Sequence, residues 1–292
     1  MSCPRCGAEV VPGDRFCADC GGRITAPEPP AAGGRAEAPG LRLAGRTDTG
    51  RAHPTNQDAF ALSGTGGPGT LVVVCDGVSN SQMPEFASIT AAHVAHDALV
   101  AAQDAGDEPD AAMADAIHRA HAAVCALPFD RQADLDPPAT TIVAAWVHGA
   151  EAAPVVTLGW LGDSRAYALD PPGRLLTRDH SWMVHVLERG DMTEQQARRD
   201  PRAHALISCL GTTDFTAASP CPEPGILTIP APPGWLVLCS DGLWNYAESP
   251  TAILQAAGAG VGGDAADLCA RLVDFALDAG GRDNITVVAI RL

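Results

Sequence analysis

The stretch LVVVCDGVSN, Leu71–Asn80, sets five apolar residues, three of them valine, ahead of an aspartate and a glycine. Such a run reads as a buried strand that delivers a carboxylate, Asp76, to the rim of a sheet. WLVLCSDGLW, Trp235–Trp244, repeats the pattern and delivers Asp241, followed by Gly242. Three more aspartates occupy similar places. TNQDAF puts Asp58 just before a strand, and GGRDNITVVAIRL puts Asp283 immediately before the last one. GWLGDSRAYAL puts Asp163 at the polar tip of an expected β-hairpin. Any single Asp-Gly pair is explained well enough as a turn. Five aspartates, each beside a strand, point to a site.

Strand ends on one rim lie a few ångströms apart, so these carboxylates are expected to cluster. Two like charges at ~4 Å repel by ~4 kcal/mol at an effective dielectric of 20. Either protons stay on or divalent cations sit between them. Oxygen donors without matching histidines suit Mg²⁺ or Mn²⁺ better than catalytic zinc. Gly77 lets its carbonyl approach such a cation, and Gly242 either does likewise or only permits a turn. Two cations ~3.5–4 Å apart hold a bridging water and aim it at phosphorus, which is the chemistry of a phosphate-ester hydrolase.

Further strand-like runs cover 141–147, 155–161, 165–169, 225–229 and 285–290, besides 71–75 and 235–239. Helical patterns cover 84–101, 111–126, 182–189, 193–199, 251–256 and 264–279, with Pro84 suited to a first turn. The strands bunch rather than alternate with helices, which argues for an α+β sandwich over a doubly wound sheet.

Ahead of this domain stand Cys3, Cys6, Cys17 and Cys20, spaced C-x₂-C, ten residues, C-x₂-C. Four thiolates at that spacing suit a closed, structural zinc ribbon over 1–22; two disulfides are the alternative. A segment of this size cannot bury a core, so the metal supplies the folding energy. Residues 23–40, rich in Gly, Pro and Ala, read as a flexible tether, and 41–292 as the large domain.

The 292 residues carry a net charge of −16, which disfavours nucleic acid as a partner. All 19 cationic residues are arginine, a coding bias of GC-rich bacteria. No apolar run reaches the roughly 18 residues of a membrane span, and the N-terminus lacks a signal's apolar segment, so a cytoplasmic protein is expected.

VVVCDGVSN, TTIVAAWV, GDSRAYAL, LCSDGLW and GRDNITVVAI, in that order, resemble the blocks of the protein phosphatase 2C (PPM) family of metal-dependent serine/threonine phosphatases. The resemblance covers about 41–292. It implies an α+β fold, a central antiparallel β-sandwich flanked by helices on both faces, with the metal site at one end. Asp76 would bridge two cations and Gly77 would offer its carbonyl to the second. Asp241 and Asp283 would bind the first, and Asp58 would act directly or through water. Asp163, with Asp241, resembles the pair that holds a third, weaker metal in bacterial members, and Asn284 is an orienting neighbour. Residues 179–214 resemble the flap that borders the active site.

Three departures stand out. The arginine that grips substrate phosphate in bacterial relatives, counted from Gly50, falls at His53, with Arg51 on the wrong alternation. An imidazole there can still donate a hydrogen bond. The acidic residue before the motif's aspartate is Gln57. After Gly77 the family's Gly-Gly-His is replaced by VSNSQMPE, so Val78 cannot be a general acid.

Cys75 and Cys239 read as small apolar core residues. His93, His96, His118 and His121 read as solvent-facing helix positions, Trp182, Trp235 and Trp244 as packing, and Arg198 and Arg199 as an exposed helix end. The leading expectation is a cytoplasmic bacterial phosphatase using two or three Mn²⁺ or Mg²⁺ ions. It would hydrolyse phosphoserine and phosphothreonine by attack of metal-bound water on proteins marked by a serine/threonine kinase. The zinc ribbon would dock a protein partner. The rival is a phosphatase fold of weak or no turnover that binds phosphoproteins as a scaffold. An enzyme for small phosphate esters is the third reading.

Overall fold

The computed structural model describes residues 36–38, 40, 42–211, 221–258 and 262–292. The expected zinc ribbon, most of the tether and the last three residues of the expected flap lie outside them.

Two antiparallel sheets form the centre. One runs β11 (Gly225–Pro230), β7 (Ala153–Leu161), β6 (Ile142–Ala150), β4 (Thr70–Asp76), β3 (Asp58–Ser63). The other runs β1 (Ala36–Ala38), β2 (Leu43–Asp48), β13 (Ile285–Arg291), β12 (Trp235–Cys239), β8 (Arg165–Ala168), β9 (Arg174–Leu175). β5 (Ala139–Thr140) and β10 (Leu210–Gly211) make a small ribbon beside them.

Antiparallel strands commonly alternate apolar and polar because one face meets water. LVVVC does not alternate, and the layering explains why. Leu71, Val73 and Cys75 pack against α1 (Pro84–Ala105) and α2 (Pro109–Cys125), while Val72 and Val74 point between the sheets. In β12 the same division sends Trp235, Val237 and Cys239 outward and Leu236 and Leu238 inward. The outward set meets α5 (Asp241–Trp244), α6 (Pro250–Ala257) and α7 (Ala265–Asp278). The order is therefore helices, sheet, sheet, helices, with side chains of successive residues serving different layers.

α1 begins at Pro84 behind Met83, whose backbone is left-handed, and ends at Ala105, capped by Gly106 with φ of 73°. That glycine closes the helix four residues beyond the expected end. α1 and α2 pack on each other in one core cluster rich in alanine (Ala87, Ala91, Ala95, Ala112, Ala116 and Ala120), whose small side chains suit close helix packing. The segment expected to form the flap carries α3 (Trp182–Glu188) and α4 (Glu194–Ala197), the second started by a Thr193–Gln196 capping box.

One local expectation fails. Asp163 does not cap a hairpin: β7 ends in the first sheet at Leu161, and β8 begins in the second at Arg165. Gly162, at φ of 107°, lets the chain turn out of one sheet and into the other. A Cβ there would stand 2.7 Å from the Thr141 side chain.

Candidate active site

In an antiparallel pair, the end of one strand and the start of its neighbour share a rim. Asp76 closes β4 and Asp58 opens β3, so the register sets them directly opposite each other. In the second sheet Asp241 follows β12 and Asp283 precedes β13, again at one rim. Asp163 rides the crossover between the sheets. All five lie at the same end of the sandwich.

Asp76, Gly77, Asp163, Asp241 and Asp283 line one cleft of about 660 Å³. Its other walls come from Ser79–Ser81, from Asp136, Pro137 and Ala139, and from residues between Pro201 and Cys209 in the expected flap. Asp58 lies behind this surface, 2% exposed. Its Oδ2 accepts from Ser240 Oγ at 2.7 Å, a bond from one sheet to the other, and its Oδ1 is buried with no hydrogen-bond partner among the described residues. Ser240 Oγ also accepts from Thr286 N at 3.0 Å, which aims its proton at Asp58.

The backbone of Asp76 is held by Thr141. The Thr141 N–H donates to its carbonyl at 2.8 Å, and its N–H donates to Thr141 Oγ1 at 3.2 Å. Asn284 fastens the loop before β3 to β13, donating to the carbonyls of Thr49 and Thr55 and accepting from Gln57 N–H at 2.7 Å. Asn245 donates to Asp241 Oδ2 at 3.0 Å, and Trp244 Nε1 donates to the Asp163 carbonyl at 2.8 Å.

The charges behave as their crowding dictates. Burial above all, then neighbouring carboxylates, pushes Asp58 to about 7, with bonds from Thr286 and Ser240 pulling the other way. Asp241 rises to about 6 through burial and Asp283. Asp76 and Asp163 are held well above the carboxylate range by burial and by the other aspartates. The cluster therefore retains protons at a pH where ordinary carboxylates have lost them.

Among the described residues no three Asp, Glu, His or Cys side chains close on a single point. The donor set nonetheless fits hard divalent cations. It is all oxygen, Asp58 Oδ1 lacks a partner, and Gly77 is a bare backbone cradle. A Cβ on Gly77 would stand 2.5 Å from the Pro84 carbonyl and 2.7 Å from that of Gln57. Gly242 has a different duty: a Cβ there would fall 1.9 Å from the Asn284 carbonyl, so the glycine lets α5 press against β13.

His53 turns toward Asp283, with Nε2 3.3 Å from Oδ1, and is not among the residues lining the cleft. Arg51 is exposed and reaches toward Asp278. Gln57 Oε1 accepts from Ser79 Oγ at 2.9 Å. His121 departs from its expected place. It is 4% exposed, with Nδ1 accepting from Gly211 N–H and Nε2 3.4 Å from Cys125 Sγ.

Two residues that support the site had no sequence signal of their own. One is Ser240. The other is Arg165, whose Nε and Nη2 donate to the two oxygens of buried Asp179 at 2.9 and 2.7 Å. Its guanidinium lies 3.7 Å from the Trp244 ring centre, so it binds Asp179, at the start of the expected flap, to the rim behind Asp163 and Asp241.

A family model for protein phosphatase 2C matches residues 49–257. The chain belongs to the protein phosphatase 2C family. It is a phosphoprotein phosphatase of the serine/threonine type. It is 28% identical to the serine/threonine phosphatase stp of Listeria innocua over 249 residues, 84% of this chain and 93% of the relative. The crystal structure of the PPM Ser-Thr phosphatase MsPP from Mycobacterium smegmatis, in complex with cacodylate, matches with a TM-score of 0.67 at 31% identity. That match covers 87% of this chain and 100% of the other. The catalytic domain of the serine/threonine protein phosphatase PstP, in complex with two manganese ions, matches at TM-score 0.64 and 27% identity, covering 86% and 97%.

Proposed function

We propose that the cleft hydrolyses phosphoserine and phosphothreonine in proteins with the help of two or three bound Mn²⁺ or Mg²⁺ ions. The carrying observation is the convergence of Asp76, Asp163, Asp241 and Asp283, with the Gly77 backbone, on one cleft at the end of the sandwich. When bound, such cations neutralise the carboxylates and the phosphoryl charge and make water a nucleophile near neutral pH. Asp76 and the Gly77 carbonyl would hold the central pair, Asp241 and Asp283 the first ion, and Asp163 with Asp241 a third. Asp58 would act from behind, through its free Oδ1, on a ligand or a water. Asn284 and Thr141 orient Asp283 and Asp76, and Ser240 orients Asp58. His53 would steady Asp283.

The finer assignments extend beyond the described residues. Cys3, Cys6, Cys17 and Cys20 would hold a structural zinc ribbon over 1–22 that docks a protein partner. The tether at 23–40 would let it swing relative to a catalytic domain at 41–292. No helix among the described residues is long and apolar enough to cross a membrane. We place the phosphatase in the cytoplasm, acting on targets of a serine/threonine kinase.

Turnover of a phosphopeptide panel should require added Mn²⁺, vanish with chelator and fall by orders of magnitude in Asp241→Asn. Hydrolysis that persists in chelator would overturn the metal assignment. Phosphopeptide affinity without turnover in saturating Mn²⁺ would favour a scaffold.

A further inference from the structure

Among the described residues the cleft is lined by five aspartates, Asp76, Asp136, Asp163, Asp241 and Asp283, and by no arginine. A phosphoryl group entering it needs a donor on the side away from the carboxylates. The polar side chains on the walls are already engaged. Ser79 Oγ donates to Gln57, and Asn80 Nδ2 donates to Asp136 at 3.1 Å. Ser81 Oγ accepts from Ala139 N, and Thr141 Oγ1 shares a 2.7 Å bond with Ser164. His204 is the exception. It is exposed, lines the cleft from the flap, and makes no hydrogen bond to the described protein.

His204 also borders a smaller cavity of about 70 Å³ behind the cleft, shared with Asp163, Asp179, Arg198 and Glu248. Arg198 cannot take the part. Its guanidinium is bound at both ends to Glu248, at 3.0 and 2.8 Å, and to Glu194 at 2.9 Å. Glu248 lines that smaller cavity with His204, so the imidazole has one carboxylate on that side and the aspartates of the cleft on the other.

The turn that carries His204 is firmly held. Arg202 pairs with both oxygens of Asp200, at 2.9 and 3.0 Å, and stacks 4.4 Å from the Trp182 ring centre. Trp182 N–H donates to the Ala205 carbonyl at 2.8 Å, and Ile207 N–H to that of His180 at 2.9 Å. A free donor on a fixed turn, facing the site across an acidic cleft, is preorganised for an anion.

We propose that His204 grips the phosphoryl group of the substrate, taking the part that His53, turned onto Asp283, does not fill. This rests on the phosphatase reading above.

The test compares His204→Gln and His204→Arg with wild type and with His118→Gln, an exposed control on α2. The readouts are phosphopeptide kinetics in saturating Mn²⁺, the inhibition constant of inorganic phosphate, and Mn²⁺ affinity by calorimetry. In His204→Gln, KM and the phosphate inhibition constant should rise together by about ten- to a hundredfold, the worth of one hydrogen bond to a charged group. His204→Arg should recover most of this, with Mn²⁺ affinity unchanged in both. An unchanged phosphate inhibition constant in His204→Gln would overturn the assignment. So would a parallel loss of Mn²⁺ affinity, since His204 would then act through the metal site. A wild-type chain without turnover would defeat the phosphatase reading instead; calorimetric binding of inorganic phosphate to wild type and His204→Gln would still decide for or against His204.

Discussion

Asp58→Asn in the metal-free protein tests the electrostatics of the site directly. Asp58 is buried at 2% exposure, and burial lifts it from an ordinary 3.8 to about 7. Between those values the folded state holds a proton that the unfolded chain has released. Stability contributed by this group is therefore present at acid pH and lost as pH rises from about 4 to about 7, the reverse of a salt-bridged carboxylate. The gap, at ~1.4 kcal/mol for each pH unit, is on the order of 4 kcal/mol. Asp76, Asp163 and Asp241 are shifted the same way, so they steepen the trend.

Asparagine cannot ionise, yet its carbonyl can still accept from Ser240. Denaturant unfolding in chelator, from pH 5 to pH 8, should show wild type losing stability as pH rises. Asp58→Asn should be the more stable protein at pH 8, with a shallower slope. Added Mn²⁺ should stabilise wild type more at pH 8 than at pH 5, because cations then replace protons as the neutralising charge. A metal-free wild type that is more stable at pH 8, or an Asp58→Asn slope equal to wild type, would refute the reasoning.

Gly77→Ala forces a Cβ against two backbone carbonyls, so the start of α1 or the loop before β3 must move. We expect a loss of about 1–3 kcal/mol in thermal unfolding together with a sharp loss of turnover, and a wild-type melting profile would contradict the cradle. Arg165→Met strands the buried carboxylate of Asp179 and should cost about 3–5 kcal/mol in denaturant unfolding. Adding Asp179→Asn should recover part of it, and a lack of recovery would show that the pair is not what holds the flap root. For the N-terminal segment, elemental analysis should find one tightly bound zinc that Cys17→Ser removes; stoichiometric disulfide there would defeat the ribbon.

The central strands could be read because burial on both faces leaves an unbroken apolar run, as in Leu71–Cys75 and Trp235–Cys239. β2 could not. Its sequence LAGRTD holds a glycine and a cation, and both make sense only through distant partners. Gly45 makes room for the Phe60 ring, where a Cβ would stand 2.5 Å away, and Arg46 pairs with Asp274 on α7 at 3.0 Å. The crossover at Asp163 was misread for a related reason. Two strands around a tight turn look like a hairpin unless one knows that β8 pairs with β12. Spacing alone likewise put His121 in solvent, whereas β10 folds back and covers it.

The acidic residues were legible because antiparallel register compels them to meet. Asp58 and Asp76 are opposite by pairing, and Asp241 and Asp283 share a rim for the same reason. What local sequence omits is the joint between these two pairs. It is Ser240, bonded to Asp58 from one side and to Thr286 from the other, that ties the rim of one sheet to the rim of its neighbour. Charges that repel at this seam act on the contact between the sheets as well as on the chemistry. A bound cation should therefore tighten the end of the sandwich as it completes the site, so metal affinity and the stability of the two-sheet core should rise and fall together across variants of the rim.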